Sequence, residues 1–299
     1  MPVNSSSMKT LSFIIFFCVF FGISARSQQK IGIASYALHG HVKVLREKSS
    51  NIAHGDTSLI VDDEVFFDHA GKVHRIVHHQ PFNLSSEDYL YDSNGRLQQV
   101  IEYTSNSKVF QTKAYNYTDD DSTYTITSTL PGGRVYEREN FRSGNKLSFE
   151  RYGVDSSKSD WSVYTYDQPG RLTSEVVFYH KKPSYHNLYS YNGSGKDNTD
   201  TFYDKDNKVS FVEQRYYDKQ GRIVHTLAHM SGGRFLVEKF TTYDAHGNEI
   251  NKREVDNIMN LNWDTQYLYD KHGNWTKRHT QTTVGKASET LVIRAISYY

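Results

Sequence analysis

A repeat of about 25 residues is the feature that most constrains how this chain can fold. An aromatic residue at the start of a turn motif recurs nine times, and the residue after it lies at positions 68, 92, 118, 142, 167, 192, 218, 244 and 270. Successive copies are 24 to 26 residues apart. A pattern that recurs at a constant interval is typical of proteins that stack one supersecondary unit on the next.

Most copies carry the residues of a tight turn, and the Gly is replaced by Asp121 and Asn145 in two of them. An Asp side chain accepts a hydrogen bond from a backbone N–H two residues on, and Gly three residues later adopts a left-handed conformation at low cost. The clearest structural turn residues are Asp92 and Gly95, Asp167 and Gly170, Asp218 and Gly221, Asp244 and Gly247, and Asp270 and Gly273. Proline is disfavoured at the third position of such a turn, so the fifth turn is expected to shift and centre on Pro169-Gly170.

The segments on both sides of the turns alternate with a period of two. Ahead of the turns, pairs such as Tyr89 and Tyr91 place two rings on one face. Behind the turns, alternation predicts that Leu97, Gln99, Ile101 and Tyr103 share a face, as do Leu172, Ser174, Val176 and Phe178. This period indicates half-buried strands and almost no helix. We therefore expect an all-β fold, a coiled antiparallel sheet of about nine β-hairpin repeats that is open and solenoid-like.

The N-terminus has the organisation of a signal peptide. Lys9 precedes an uncharged apolar run at 13–23, and Ala25-Arg26-Ser27 places small residues where a signal peptidase reads them. The run is eleven residues long, shorter than the ~20 residues of a membrane-spanning helix; a retained anchor helix is the alternative. The predicted division is a signal peptide at 1–27, an N-terminal cap at 28–60 with a first strand at 40–46, and the repeat domain with a C-terminal strand at 61–299.

Removal of the signal peptide changes the chemistry that is available. It removes the only cysteine, Cys18, and leaves 33 basic and 34 acidic residues. The mature chain then has no disulfide or thiolate chemistry. A balanced charge gives no electrostatic footprint for nucleic acid. We expect no nucleic-acid partner, no membrane span after signal removal, and a secreted, periplasmic or cell-surface location.

Candidate sites for chemistry are sparse. His74 and His78 on one strand face would lie about 13 Å apart, too far to chelate one metal ion. The acidic runs 62–64 and 119–121 lack the spacing of a calcium loop. No nucleophile elbow or phosphate-binding loop is present, whereas a pair of glycosidase carboxylates would leave no sequence signature. We therefore assign no catalytic, cofactor-binding or metal residue, and no cofactor.

Two tryptophans are the ligand candidates. Trp161 and Trp263 follow the two longest predicted loops, 153–160 and 256–262, at the edge of the sheet opposite the tight turns. Loops that differ from copy to copy are where a repeat protein usually carries its recognition surface. Exposed rings there could stack on a sugar or accept a peptide; the alternative is that both rings cover the sheet.

The pattern Tyr-Asp-x-x-Gly-Arg, as at 91–96 and 217–222, resembles the YD repeat of Rhs-type bacterial proteins, and residues 65–280 match it in nine copies. The resemblance implies a wound antiparallel sheet, export in a bacterium, and a structural or binding role. Large members of that family enclose a toxin, and nine hairpins are too few to close such a shell. We thus expect a small non-enzymatic scaffold that binds a glycan, a peptide or an envelope protein. A carbohydrate-active enzyme and an accessory to toxin delivery are the alternatives.

Overall fold

The computed structural model describes residues 32–53, 56–79, 84–118, 120, 122–143, 145–153, 157–193, 197–282 and 288–299. The predicted signal peptide lies outside these residues. The strands are β1 (Val42–Ala53), β2 (Asp56–Phe67), β3 (Val73–His78), β4 (Leu84–Tyr91), β5 (Leu97–Thr104), β6 (Val109–Tyr117), β7 (Thr123–Leu130), β8 (Arg134–Arg142), β9 (Asn145–Tyr152), β10 (Lys158–Tyr166), β11 (Leu172–Tyr179), β12 (Lys182–Tyr191), β13 (Asp197–Tyr203), β14 (Val209–Tyr217), β15 (Ile223–Met230), β16 (Phe235–Tyr243), β17 (Glu249–Asp256), β18 (Asn260–Tyr269), β19 (Trp275–Thr282) and β20 (Ser288–Tyr298). Two short 3-10 turns, Ile33–Tyr36 and Ser231–Gly233, are the helical elements of this part of the chain, in which no helix is long and apolar enough to cross a membrane.

The strands form one closed antiparallel barrel. Each strand pairs with its neighbours in sequence, and β1 also pairs with β20 along a ladder from Val42 opposite Tyr298 to Ala53 opposite Ser288. The all-β prediction is confirmed, but the predicted open, solenoid-like coil is wrong. Nine hairpins account for β2 to β19, and the two flanking strands supply the closure. Closure pairs the backbone N–H and C=O groups that the two edge strands of an open sheet would leave unpaired.

A β-bulge beside eight of the nine tight turns curves the sheet. Beside the turn at 92–96, Tyr91 pairs with Leu97 whereas Leu90 pairs with Gln99, and the same interruption recurs in the other hairpins except β6–β7. An extra residue bends a strand and increases its twist.

The bulge also changes which residues share a face. Leu97 faces the same side as Val100 and Glu102, which pair with Tyr89 and Glu87. In β11, Leu172 likewise shares its face with Glu175. The predicted faces behind the turns are therefore wrong after their first residue, because strict alternation does not survive an inserted residue.

The connections form two rims. All nine tight turns lie on one rim, the tight-turn rim, since each joins an even-numbered strand to the next odd-numbered one. The other connections form the loop rim, where β10 begins at Lys158 and β18 already at Asn260. The predicted loop at 256–262 is therefore only the three residues 257–259, and the one at 153–160 only 153–157.

The fifth turn keeps the geometry of the others. The Gly170 N–H donates to the Asp167 carbonyl, and the Arg171 N–H donates to Asp167 Oδ1 at 2.8 Å. The predicted shift to a turn centred on Pro169-Gly170 is wrong. The Arg171 guanidinium also donates to Asp167 Oδ2 at 2.7 Å, and these contacts hold the Asp in place despite the proline.

The N-terminal strap, residues 32–41, crosses the tight-turn rim over the seam between β1 and β20. At one end the Ile33 N–H donates to the Gly71 carbonyl at 3.0 Å. At the other end the Asn274 amide bonds both the N–H and the carbonyl of His39, at 2.5 and 2.9 Å. Between them the Tyr36 ring packs edge-on against Phe67.

The apolar core is confined to this side of the barrel. Its buried members are Leu38, Val42, Leu45, Val65, Phe67, Val73, Ile76, Tyr89 and Val100. Twenty strands spaced ~4.8 Å apart give a circumference of roughly 95 Å, and barrels of ~16 strands or more enclose a lumen that wall side chains do not fill. On the other strands, most inward side chains are accordingly only half-buried.

Candidate functional site on the inner face

The two faces of the barrel wall differ in chemistry. The inner face carries Tyr89, Tyr91 and their equivalents, and the outer face carries side chains such as Leu90 and Leu268, which are 43% and 60% exposed. The position four residues before each ring shares its face. That position is charged or carries an amide in seven copies, at Asp63, Glu87, Lys113, Glu137, Asn187, Glu213 and Lys239.

At the tight-turn rim, an Arg side chain joins one repeat to the next. In the turn at 218–222, Asp218 accepts hydrogen bonds from the Arg222 N–H and from Arg222 Nε, at 2.9 and 2.7 Å. The Arg222 guanidinium lies 4.6 Å from the ring of Tyr243 in the next repeat. The hydroxyl of Tyr243 donates to the Ile223 carbonyl at 2.8 Å. The turns at 92–96 and 167–171 have the same contacts, and we call these three the Arg-type turns.

The last two turns have Asn in place of Arg. In the turn at 244–248, the Asn248 amide donates to the hydroxyl of Tyr269 at 2.7 Å, and that hydroxyl donates to Asp244 Oδ2 at 2.5 Å. His246 stacks on the same ring at 4.1 Å. Asp270, His272 and Asn274 repeat these contacts around Tyr298. We call these two the Asn-type turns.

Farther from this rim, the inner face becomes a belt of ion pairs between neighbouring strands. Lys113 Nζ lies 2.7 Å from a carboxylate oxygen of Glu102, which is 4% exposed. Arg215 Nη2 lies 2.6 Å from Asp200 and 2.5 Å from Glu213. Buried charges are stable when they are paired in this way, so the belt is a charged surface held in a fixed arrangement.

A histidine joins two carboxylates of the belt near the strap. His78 Nδ1 lies 2.8 Å from Asp63, and Nε2 lies 3.3 Å from Glu87. These two hydrogen bonds raise the pKa of His78 to about 9. Although burial opposes it, the hydrogen bonds from His78 and Tyr89 lower the pKa of Glu87. The site therefore carries a protonated imidazole between two carboxylates at neutral pH.

A second cluster lies on β11 to β13. Glu175 is 6% exposed, and its Oε2 accepts from Asn187 Nδ2 at 3.0 Å and from the Tyr189 hydroxyl at 3.3 Å. Tyr164 also hydrogen-bonds this carboxylate. Burial raises the pKa of Glu175, and these neutral donors only partly oppose that rise. Burial likewise raises the pKa values of the Tyr164 and Tyr189 hydroxyls.

The two ligand-candidate tryptophans lie on different faces. Trp161 is on the outer face of β10, where Phe178 stacks on it at 4.6 Å and Lys158 Nζ lies 4.9 Å from the ring centre. Trp263 is on the inner face of β18, in register with Tyr267 and Tyr269, and Lys252 Nζ lies 5.2 Å from its ring. The structure does not bring the two rings together into one site.

The histidines are separated as well. His74 is the bulge residue of β3 and contacts Phe66, whereas His78 faces inward. Among the described residues, no group of three or more His, Cys, Asp or Glu side chains is arranged to hold a metal ion. Sequence reasoning missed the charged belt, although the charged residues four positions before most of the rings were a signal for it.

No protein-family model and no curated protein matches this chain. Among solved structures it is similar to a porin-like protein from Bacteroides uniformis, with 13% identity, a TM-score of 0.36, and coverage of 86% of this chain and 96% of that chain. It is also similar to the Tc holotoxin pore of Photorhabdus luminescens, with 12% identity, a TM-score of 0.22, and coverage of 77% and 19%. An outer membrane lipoprotein-sorting protein domain from Vibrio parahaemolyticus gives 10% identity, a TM-score of 0.19, and coverage of 85% and 84%. At these TM-scores, none of the three supports an inference about function.

Proposed function

We propose that this chain is a small, exported YD-repeat protein that acts as a non-enzymatic binding scaffold at the bacterial envelope, and that the inner face of the barrel is its binding surface. The observation that carries the proposal is the charged, tyrosine-lined inner wall on the strands beyond the apolar core. The segment at 1–27 supports export, and the turn pattern supports membership of the YD-repeat class.

The inner face has the chemistry of a recognition surface for a polar partner. Tyrosines combine large rings with hydroxyls that hydrogen-bond, and they occur often at binding surfaces. The ion pairs of the belt fix the positions of its charges, so little ordering is needed when a partner binds. A glycan, a peptide or a segment of an envelope protein fits this chemistry.

Capture of partners from envelope extract tests the proposal. The mature chain, residues 28–299, is immobilised beside a variant with both Tyr115→Ala and Tyr185→Ala on the inner face, and a control with Leu90→Ala and Leu268→Ala on the outer face. We expect the inner variant to lose the captured partners and the outer control to retain them. Equal capture by all three, with unchanged circular dichroism, would contradict the inner-face assignment.

A carbohydrate-active enzyme is the second candidate. Glu175 favours it, since a buried carboxyl group with a raised pKa is what a general acid requires. Release of reducing sugar from envelope polysaccharides, lost in Glu175→Gln, would support this function. No release from any substrate, together with binding, favours the scaffold.

A further inference from the structure

We infer that the Glu175–Asn187 cluster on the inner wall is a binding site for a primary ammonium group, either a lysine side chain or a free alkylamine. The inference deepens the proposed function and rests on the inner face being the binding surface. Its basis is a set of hydrogen-bond acceptors that the surrounding protein leaves incompletely satisfied.

Asn187 provides the first observation. Its side chain is 4% exposed, and its Nδ2 donates to Glu175 Oε2 at 3.0 Å. Its Oδ1 has no hydrogen-bond partner. In the sheet register, Asn187 lies between Glu175 on β11 and Phe202 on β13. A buried acceptor without a donor is costly, and a ligand N–H would satisfy it.

Glu175 provides the second observation. The groups that donate to its carboxylate, Asn187, Tyr189 and Tyr164, are all neutral. The other buried acids of the belt contrast with it, because Glu102 contacts Lys113 and Asp200 contacts Arg215. Lys146 lowers the pKa of this carboxylate through space and not as a hydrogen-bond donor. A buried carboxylate whose hydrogen-bond donors are neutral gains from an incoming cationic donor.

The surroundings select an organic ammonium over a metal ion. Three tyrosines, Tyr164, Tyr185 and Tyr189, share the inner face around the two acceptors, and aromatic rings attract organic cations. A primary ammonium has three donors. These three donors match in number the Glu175 carboxylate, Asn187 Oδ1 and one tyrosine hydroxyl oxygen.

Nuclear magnetic resonance titration of the mature chain tests the site. The probes are Nα-acetyl-lysine methylamide and cadaverine, with Nα-acetyl-norleucine methylamide as the uncharged control. We expect both amines to bind and norleucine not to bind. Tighter binding of the lysine derivative identifies a peptide ligand, and tighter binding of cadaverine identifies a free amine.

Three variants locate the binding. Glu175→Gln keeps the shape and removes the charge, and should weaken amine binding by about tenfold to a hundredfold. Asn187→Leu removes the acceptor and should also weaken it. Glu254→Gln is the matched control, since Glu254 is an inner-face acid that already faces Lys239 at 3.5 Å, and it should bind normally. Amine binding that survives Glu175→Gln, equal binding of norleucine, or no binding to the native chain would overturn the inference.

If Glu175→Gln does not fold, the pH dependence of amine binding to the native chain tests the site instead. The groups around the site are Glu175, Asp200, Glu213, Arg215, Lys146 and the three tyrosines. Since burial raises the pKa of Glu175, amine affinity should fall as the pH is lowered and this carboxylate takes up a proton. A flat profile contradicts the site. If the amine site fails these tests but the variant with Tyr115→Ala and Tyr185→Ala still loses its captured partners, the proposed function is retained.

Discussion

The Arg-type and Asn-type turns solve the same problem with different side chains. Both must join the ring of one repeat to the turn of the preceding one. In the Arg-type turn, Arg222 Nε donates to Asp218 Oδ2, and the guanidinium lies over the ring of Tyr243. The Tyr243 hydroxyl therefore donates to a backbone carbonyl instead of to the Asp. In the Asn-type turn, the shorter Asn248 leaves Oδ2 of Asp244 open, and the tyrosine hydroxyl donates there.

The difference between the two turn types matters most at the seam between β1 and β20. Arg-type turns lie in the interior of the array, where another repeat follows. The second Asn-type turn lies at the seam, where a short amide with both donor and acceptor can also bond the strap. Asn274, with no exposed surface, bonds Tyr298 and both backbone groups of His39. An Arg side chain has no acceptor and could not make the same set of bonds.

The sharpest test is Asn274→Ala. It removes three hydrogen bonds of the buried Asn274 side chain, to Tyr298 and to the N–H and carbonyl of His39, so we expect a loss of about 3 kcal/mol in the free energy of unfolding. The control, Asn248→Ala, removes one hydrogen bond at a position without a strap and should cost about 1 kcal/mol. Denaturant unfolding followed by circular dichroism measures both. Equal losses would show that the seam does not depend on Asn274.

The stability contributed by His78 in the belt should depend on pH on the alkaline side. The folded pKa of His78 is raised to about 9 from an unfolded value near 6.5. Its contribution to stability is present in full below the unfolded pKa and is lost as pH rises to about 9. The loss is up to about 3 kcal/mol.

Thermal melting between pH 6 and pH 10 measures this loss. His78→Gln should flatten the decline in melting temperature. The control, His74→Gln, removes a histidine whose described contact is the ring of Phe66, and the decline should persist in it. A native-like decline in His78→Gln would assign the pH dependence to other groups.

Arg222→Ala should cost about 1 kcal/mol, because it removes a partly exposed ion pair and a cation–π contact. Arg222→Asn combined with Gln220→His converts this turn to the Asn type and should recover part of that loss. Denaturant unfolding of the three proteins measures the recovery. A double variant no more stable than Arg222→Ala would show that the Asn-type solution depends on its position in the array.

The smallest expected effect is a change in an aspartate pKa that distinguishes the hydroxyl of Tyr269 from that of Tyr243. The Tyr269 hydrogen bond helps to lower the pKa of Asp244, against the effect of burial, so Tyr269→Phe should raise that pKa. Tyr243→Phe should leave the pKa of Asp218 unchanged, because its hydroxyl bonds a carbonyl. Carboxyl resonances followed between pH 2 and pH 6 give both values. A shift of the Asp218 pKa in Tyr243→Phe would contradict the distinction.

The sequence by itself determined the local structure. The spacing of ring, Asp and Gly predicts nine hairpins on one rim, and the period of two predicts strands, because turn conformation and side-chain alternation depend on residues close together in the chain. Only the tertiary structure decided what depends on distant residues. The bulges place Glu102 and Glu175 on the inner face. β1 pairs with β20, although more than two hundred residues separate them in sequence, and Asn274 accepts a hydrogen bond from the His39 N–H at the seam. Closure, the charged belt and the amine site follow from register around the whole ring, and no single repeat specifies that register.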